Sequence, residues 1–184
     1  VASVFISRVD AMADKMIGTL IAQLKEKKEK DRLEALRGKA AVANTMLIFK
    51  RYSEIFSGKE FLSLRQRGVS AQRALWGSTS TKNPAYSDIK YVSDLIGKNT
   101  VNTMPEETFR AFLDHGVVRE ALTADAADGL AIVKDLRKSG INIDSICRKL
   151  LADGLVAFEN SFSSLLKTIE SKAGGLGHKS GAII

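Results

Sequence analysis

The stretch that decides the fold is Gln72-Arg-Ala-Leu-Trp-Gly-Ser-Thr-Ser-Thr-Lys-Asn-Pro-Ala-Tyr-Ser-Asp88. Its first part, from Arg73 to Thr79, is a short apolar run typical of a buried strand, and a polar loop follows it directly. Similar runs lie at residues 3–9 and 99–103, and helical patterns separate the three. Strands that alternate with helices form parallel sheets through crossover connections, so we predict an α/β fold.

The helical segments follow from apolar spacing and from residues that begin or end helices. We predict a helix after Asp10 as its N-cap and a second one after the charged run at 25–32, with a buried stripe from Ala40 to Ile55 and an end at Ser57-Gly58. A short helix is predicted around Tyr91, and Thr103 begins another with capping-box spacing. Three further helices are predicted at about 125–138, at 144–153 and from residue 155 onward. The last has the clearest amphipathic stripe, formed by Leu155, Phe158, Phe162, Leu165, Leu166 and Ile169.

The predicted strands are too few for a complete parallel sheet. Three parallel strands cannot close a barrel, and such sheets need cover on both faces. The chain also opens on a strand at Val1 without a methionine. We therefore expect a fragment, with further strands upstream. We expect one domain at 1–172 and a glycine-rich, disordered tail at 173–184.

Composition narrows the class of protein. The chain has 184 residues, of which 45% are hydrophobic and 27% charged, which is typical of a soluble globular protein. The net charge of +7 suits nucleic acid, an anionic membrane or phosphorylated metabolites. The densest charged run, Lys25 to Arg32, interleaves acids with bases and is typical of a solvated helix end or turn. This distribution argues against nucleic acid and membrane partners.

The sequence indicates no metal site and no reactive thiol. His115 and His178 are far apart and match no metal-ligand spacing. Cys147 is the single cysteine, and it falls among apolar residues at helical spacing, so we expect a small buried side chain there. We expect no cofactor and no metal.

Chemistry in parallel α/β folds takes place at the carboxyl ends of the strands. Those ends carry cations and hydroxyls: Ser7, Arg8, Ser78, Thr79, Lys82 and Thr103. Arginine binds phosphate with two hydrogen bonds, and lysine binds it as a point charge. The set suits an anionic, hydroxylated ligand such as a sugar phosphate, although strand-end cations are also common as solvated bystanders.

The stretch 72–88 closely resembles the seventh strand of transaldolases of the bacterial and plant type. Asn99-Thr-Val-Asn-Thr-Met-Pro-Glu106 is similar to their eighth strand, and Val4-Phe-Ile-Ser-Arg-Val-Asp10 to their sixth. Leu36-Arg-Gly-Lys-Ala-Ala41 resembles a helix motif between the sixth and seventh strands, and Asp153-Gly-Leu resembles their terminal helix. The resemblance implies three strand–helix units at the carboxyl-terminal end of an eight-stranded TIM-type α/β barrel, followed by extra helices.

The resemblance also implies roles for particular residues. A transaldolase transfers a dihydroxyacetone unit from sedoheptulose 7-phosphate or fructose 6-phosphate to an aldose phosphate through a lysine Schiff base. That lysine lies on the fourth strand, so this chain is expected to lack it and to be inactive alone. The substrate phosphate is expected to contact Arg8, Ser78 and Lys82, with Ser3 and Asn83 supporting the barrel mouth. Trp76 is expected to pack in the barrel.

Two alternatives stay open at this point: an enzyme like fructose-6-phosphate aldolase, and a basic helical module that binds nucleic acid. The transaldolase reading implies the non-oxidative pentose phosphate pathway, with sugar phosphates and the upstream half of the barrel as partners. A homodimer of the intact enzyme is left open. The expected location is the cytoplasm, or a plastid if the source is a plant or alga.

Overall fold

The computed structural model describes residues 1–177, with side chains up to residue 174. This part of the chain contains three strands and eight helices. In chain order they are β1 Ala2–Phe5, α1 Ser7–Gln23, α2 Lys27–Glu34, α3 Ala40–Ser57, α4 Lys59–Gln66, β2 Ala74–Gly77, α5 Lys90–Ser93, β3 Thr100–Asn102, α6 Glu106–His115, α7 Ala127–Lys138 and α8 Ile143–Gly177.

The three strands form one parallel sheet in the order β1-β2-β3, which confirms the predicted strands and their direction. Val4 pairs with Trp76, and Trp76 pairs with Asn102. Because paired residues point to the same side of a sheet, these three side chains share one face. Ser3, Leu75 and Val101 are paired in the same way and share the other face.

The face that carries Trp76 is covered by the protein's own helices and loops. Trp76 is fully buried, and its indole N–H donates to the carbonyl of Leu95 over 3.1 Å. Asn102 Nδ2 donates to the carbonyl of Tyr91 over 3.2 Å. The predicted packing role of Trp76 is confirmed. On the other face Phe5 is 65% exposed, and we call this the open face.

The helical layer packs closely around α3, whose predicted end at Ser57-Gly58 is confirmed. Its buried residues include Ala40, Ala41 and Ala43, and it contacts both α1 and α7. On α7, a Cβ at Gly129 would come within 2.9 Å of the carbonyl oxygen of Ala43. Small residues on both helices therefore allow this close approach.

The start of α1 differs from the prediction. The run at residues 3–9 does not continue as a strand, because α1 begins at Ser7 and Val9 N–H already donates to Ile6 O over 3.0 Å. Asp10 is therefore not an N-cap but a buried residue inside α1. The residues Val4, Ile6 and Val9 favour a strand by their branched side chains, but Val9, Ala13 and Ile17 are buried at helical spacing, and that burial decides the structure.

The capping box predicted at the start of α6 is also wrong. Pro105 occupies the N-cap position, and no side chain caps this helix. The helical spacing of Phe109, Phe112 and Leu113 predicts an inner stripe on α6, but Phe109 and Leu113 are 49% and 69% exposed. The spacing correctly marks one face of the helix, yet nothing in residues 1–146 covers that face fully.

The chain divides into two compact units, 1–146 and 147–184. The second, described up to residue 177, consists of most of α8. This helix runs without the break predicted near Asp153, because a single Gly154 costs a helix only about 1 kcal/mol and good helix formers flank it. Its apolar stripe is exposed, with Phe158 at 79% and Phe162 at 62%. Cys147, expected to be buried, is exposed.

The predicted tail is described only in part. Residues 173–177 belong to the end of α8, and residues 178–184 lie outside the described part of the chain. Within residues 1–177, no helix is both long enough and apolar enough to cross a bilayer. The charged run, predicted as a solvated helix end or turn, instead forms most of a separate helix, α2, whose single buried residue is Leu33. Its predicted solvation is confirmed, because none of the charged residues of α2 is buried.

Candidate functional site

A cavity of about 360 Å³ lies at the carboxyl ends of β1 and β2. Its walls come from the start of α1, from the loop that follows β2 and from α5. The lining residues are Ser7, Asp10, Ala11, Asp14, Lys82, Asn83, Pro84, Tyr86 and Tyr91. A polar cavity at this edge of a parallel sheet is the usual place for a ligand site in α/β proteins.

Hydrogen bonds between Ser7 and Ser78 join the carboxyl ends of β1 and β2 at the cavity. Ser7 N–H donates to the carbonyl of Ser78 over 3.0 Å, and the two serine Oγ atoms are 3.0 Å apart. Ser78 has φ of 55°, in the left-handed region that a residue with a Cβ seldom adopts. Such backbone strain costs about 1–3 kcal/mol and is concentrated at functional sites. Two hydroxyls are therefore held side by side at the mouth of the sheet.

The loop after β2 supplies the cation and the amide of the site. Lys82 is exposed, and its Nζ donates to Ser80 Oγ over 2.7 Å. Asn83 Oδ1 accepts the backbone N–H of Ala85 over 3.0 Å. Both residues line the cavity, so the structure places Lys82 and Asn83 together.

The wall opposite this loop carries two carboxylates, Asp10 and Asp14, one helical turn apart on α1. Asp10 accepts hydrogen bonds from Ala41 N–H and from the hydroxyl of Tyr91, each over 2.7 Å. Asp14 accepts from Gly38 N–H over 2.9 Å and from the hydroxyl of Tyr86 over 2.7 Å. Each carboxylate thus joins the N-terminal region of α3 to a tyrosine near the loop.

Burial is the main influence on the acid–base properties of this wall. It raises the pKa of Asp10 above 3.8, although the hydrogen bonds from Ala41 and Tyr91 act in the opposite direction. Burial, followed by the hydrogen bond to Asp14, raises the pKa of Tyr86. Burial and the charge of Asp10 raise the pKa of Tyr91. Both tyrosines therefore stay protonated at neutral pH and act as donors to the carboxylates.

The remaining predicted site residues lie outside the cavity lining. Ser78 reaches it through its bond to Ser7. Arg8 follows Ser7 on α1 and is exposed; it was expected at a strand end, but it belongs to the first turn of the helix. Ser3 is exposed on the open face, where it pairs with Leu75. The structure therefore groups Ser78, Lys82 and Asn83 around one cavity and leaves Arg8 and Ser3 beside it.

Sequence reasoning missed the four side chains that form the carboxylate wall: Asp10, Asp14, Tyr86 and Tyr91. The signal available was the spacing of the two acids, which puts them on one side of a helix. Their partners are far along the chain, so the pairing itself had no local signal. Within residues 1–177, no group of three or more histidine, cysteine or acidic residues is arranged to hold a metal ion.

Comparison with known proteins assigns the chain to a family. The sequence profile described as "Transaldolase/Fructose-6-phosphate aldolase" matches residues 1–169. The chain belongs to the transaldolase/fructose-6-phosphate aldolase family. This finding confirms the resemblance read from the strand motifs, and the matched residues include all three strands and the whole cavity.

Several relatives within the family carry the name transaldolase. The chain is 38% identical to "Transaldolase" of Trichodesmium erythraeum over 94% of its own length and 46% of the relative. It is 41% identical to "Transaldolase" of Parafrankia sp., over 95% and 45%, and 40% identical to "Transaldolase 2" of Streptomyces coelicolor, over 94% and 44%. The chain therefore spans about half the length of these family members.

Proposed function

We propose that this chain is the carboxyl-terminal part of a transaldolase barrel and supplies part of its phosphate site. The complete enzyme would transfer a dihydroxyacetone unit from sedoheptulose 7-phosphate or fructose 6-phosphate to an aldose phosphate. A lysine on an upstream strand would form the Schiff base with the ketose. The observation that carries the proposal is the cavity at the strand ends, where Lys82, Asn83 and the paired hydroxyls of Ser7 and Ser78 converge.

Each part of the proposed phosphate site has a distinct job. Lys82 supplies a cation on a loop, where it is free of the sheet and exposed to the ligand. Ser78 offers a hydroxyl that is held in place by a hydrogen bond with Ser7. Arg8 is the next residue after Ser7 in the chain. Asn83 and Ser3 are proposed as supports of the barrel mouth. A phosphate bound to an arginine and a lysine gains charge-assisted hydrogen bonds, which are about twice as strong as neutral ones.

The carboxylate wall does not oppose this assignment. Both oxygens of Asp10 and of Asp14 accept hydrogen bonds from amides or tyrosine hydroxyls, so the acids are turned toward α3 and the tyrosines. The amide donors belong to the N-terminal region of a helix, where the peptide dipoles favour negative charge. The acids are thus compensated within the protein, and Lys82 stays available to a ligand.

The open face of the sheet supports the proposal that upstream strands complete the barrel. On this face Ser3, Leu75 and Val101 lie side by side across the three strands, and Phe5 on β1 is largely exposed. Inward-facing apolar side chains of this kind fill the interior of a closed TIM-type barrel. We propose that the intact enzyme acts without a cofactor in the non-oxidative pentose phosphate pathway, in the cytoplasm or a plastid.

A borohydride trap tests the location of the nucleophile. The 184-residue chain is incubated with fructose 6-phosphate and borohydride, alone and together with the upstream half, and adducts are located by mass spectrometry. We expect no adduct on this chain in either case and one on an upstream lysine when both parts are present. A sugar adduct on Lys82 or on any other lysine of this chain would overturn the assignment of roles.

Kinetics of the completed enzyme test the phosphate site. Lys82→Ala and Arg8→Ala should each raise KM for phosphorylated sugars roughly tenfold to a hundredfold, the usual range for a lost charged contact. Lys134→Ala, which removes an exposed cation from α7, is the matched control and should leave KM unchanged. Unchanged kinetics in both site variants would mean that these cations are solvated bystanders.

The acceptor of the three-carbon unit distinguishes a transaldolase from the alternative, an enzyme like fructose-6-phosphate aldolase. A transaldolase releases its three-carbon unit to an aldose phosphate, whereas an aldolase releases it to water. Product analysis with and without an aldose phosphate distinguishes them.

The nucleic-acid alternative finds little support, since cations of α2 pair with acids: Lys27 with Asp31 over 2.8 Å, and Arg32 with Glu29 over 3.1 Å. RNA affinity that falls steeply with salt would revive it.

A further inference from the structure

The loop after β2, residues 80–88, is closed by its own hydrogen bonds. At its ends, Thr81 Oγ1 donates to the carbonyl of Ser87 over 2.8 Å. At its tip, Tyr86 N–H donates to the carbonyl of Asn83 over 3.1 Å, and Ala85 N–H donates to Asn83 Oδ1 over 3.0 Å. Pro84 fixes a backbone angle between them. A loop braced in this way moves as a unit, so the position of Tyr86 fixes that of Asn83 and, through it, of Lys82.

Tyr86 is the point at which this loop is attached to α1. Its hydroxyl donates to Asp14 Oδ2 over 2.7 Å, and the ring lies against the backbone of Gly38. Gly38 has φ of +67°, and a Cβ there would come within 2.7 Å of the tyrosine ring. Gly38 N–H donates to Asp14 Oδ1 over 2.9 Å, and Arg37 Nη1 donates to the carbonyl of Asp14 over 3.1 Å. We call Asp14, Arg37 and Gly38 the tyrosine seat.

The loop also contacts α6, and this contact is weaker. His115 Nε2 lies 3.0 Å from Asp88 Oδ1, with both side chains largely exposed. Exposed pairs of this kind contribute little to stability. The Tyr86 hydroxyl, in contrast, donates to a carboxylate in a half-buried setting and is the stronger constraint.

We propose that the tyrosine seat positions the loop after β2. Asp14, Gly38 and Tyr86 are then positioning residues for binding of the sugar phosphate. None of the three needs to touch the phosphate. They act through the loop on Lys82 and Asn83. The inference rests on the proposed function for the identity of the ligand, but the attachment of the loop is independent of it.

This inference gives a physical role to the motif Leu36-Arg-Gly-Lys-Ala-Ala41. Arg37 and Gly38 hold Asp14, and Ala41 N–H holds Asp10. A segment between two strands, remote from the site in sequence, therefore forms the base on which the loop rests. A glycine is needed at position 38 for two reasons: its φ is positive, and the ring of Tyr86 occupies the space that a Cβ would fill.

The first arm of the test measures the loop itself. Amide hydrogen exchange is followed in the 184-residue chain for Tyr86→Phe, which removes only the hydroxyl, and for Tyr91→Phe, which removes the equivalent bond from Asp10 to α5. Tyr86→Phe should speed exchange at Ala85 and Tyr86 by about tenfold, because a charge-assisted bond is lost. Tyr91→Phe should leave these two amides unchanged. Equal effects of both variants, or none of either, would overturn the proposal.

The second arm measures phosphate recognition in the enzyme completed by its upstream half. Tyr86→Phe should raise KM for fructose 6-phosphate at least about threefold, within the range for one lost hydrogen bond, with kcat little changed. Turnover of unphosphorylated fructose should be unaffected, which a general loss of stability would not produce. Gly38→Ala should have the same selective effect. An equal loss with both sugars would show a merely structural role.

The two arms separate the two ideas. If the unmutated enzyme shows no preference for the phosphorylated sugar, the proposed function fails, and hydrogen exchange still decides whether the seat holds the loop. If the preference exists and Tyr86→Phe does not alter it, the seat is refuted as a positioning device while the proposed function stands.

Discussion

The two faces of the sheet are built from alternate residues of the same three strands, yet their surroundings are opposite. On one face Trp76 is fully buried and its N–H finds the carbonyl of Leu95. On the other face Phe5 is 65% exposed and Ser3 is exposed too. The alternation of residues along a strand therefore identifies two faces but does not identify what covers them. Within residues 1–146, helices and loops cover the face that carries Trp76 and leave Phe5 on the other face largely exposed.

The sharpest test of this contrast is Trp76→Ala. Truncating a fully buried tryptophan leaves a cavity and should lower the free energy of unfolding by about 3–5 kcal/mol, measured by urea melting of the 184-residue chain. The loss of the indole also leaves the carbonyl of Leu95 without its donor. A loss below about 1 kcal/mol would mean that the covered face is not the core of the fold.

Asp10→Asn tests the polar layer behind that face with a smaller effect. Burial raises the pKa of Asp10 above 3.8, so the folded protein keeps this proton to a higher pH than the unfolded chain does. The carboxyl's contribution to stability is therefore complete below 3.8 and is lost as the pH rises through the raised pKa. Asparagine stays neutral, and its amide can serve both Ala41 and Tyr91.

The variant should accordingly gain stability relative to the unmutated chain as the pH rises from 4 to 7. Urea midpoints at the two pH values measure the difference. A difference that is the same at both pH values, or that favours the unmutated chain more at pH 7, would contradict the raised pKa of Asp10.

Phe5→Ala is the counterpart on the open face. Because the ring is mostly in solvent, its removal from the 184-residue chain should change the free energy of unfolding by no more than about 0.5 kcal/mol. With the proposed upstream strands present, the same substitution should cost several times more. An equal, small effect in both settings would show that nothing covers this face.

The smallest expected effect concerns His115, at the outer end of the loop. Hydrogen bonds to Asp88 and Asp114 raise the pKa of this exposed histidine above 6.5. Asp88→Asn should bring the pKa of His115 down toward 6.5, observed by NMR titration of the ring protons. Stability should barely respond, and a pKa unchanged by the substitution would mean that the contact with Asp88 does not form in solution.

Local signals predicted the framework well. The apolar runs around Val4, Trp76 and Val101 identified three parallel strands, and Ser57-Gly58 marked the end of α3. These features depend on residues that are near one another in sequence. The strand motifs also predicted the family that the comparisons confirmed. Lys82, Asn83 and Ser78 were predicted to gather at the strand ends, and they do so around one cavity.

The errors share a physical origin, which is that burial depends on partners distant in sequence. The stripe on α6 and the stripe on α8 have good helical spacing, but Leu113 and Phe158 are exposed. The sequence around Asp10 predicts a cap, because the hydrogen bonds from Ala41 and Tyr91 come from residues distant in the chain. The role of Tyr86 had no local signal for the same reason: Asp14, which accepts the hydrogen bond from its hydroxyl, lies in α1, three helices and a strand earlier in the chain.

The unequal spans of the two strand pairings have a consequence for the order of folding. Ala74 pairs with Thr100 across one short helix, whereas Ala2 pairs with Ala74 across four helices. The chain segment closed by the β1–β2 pairing is longer than the segment closed by the β2–β3 pairing by between one and two doublings. Closing the longer segment therefore costs roughly 1 kcal/mol more in chain entropy. Contacts between distant residues form late in small domains. We therefore expect β2 and β3 to pair first and β1 to join the sheet afterwards. Substitutions in β1 should then accelerate unfolding and leave the refolding rate almost unchanged.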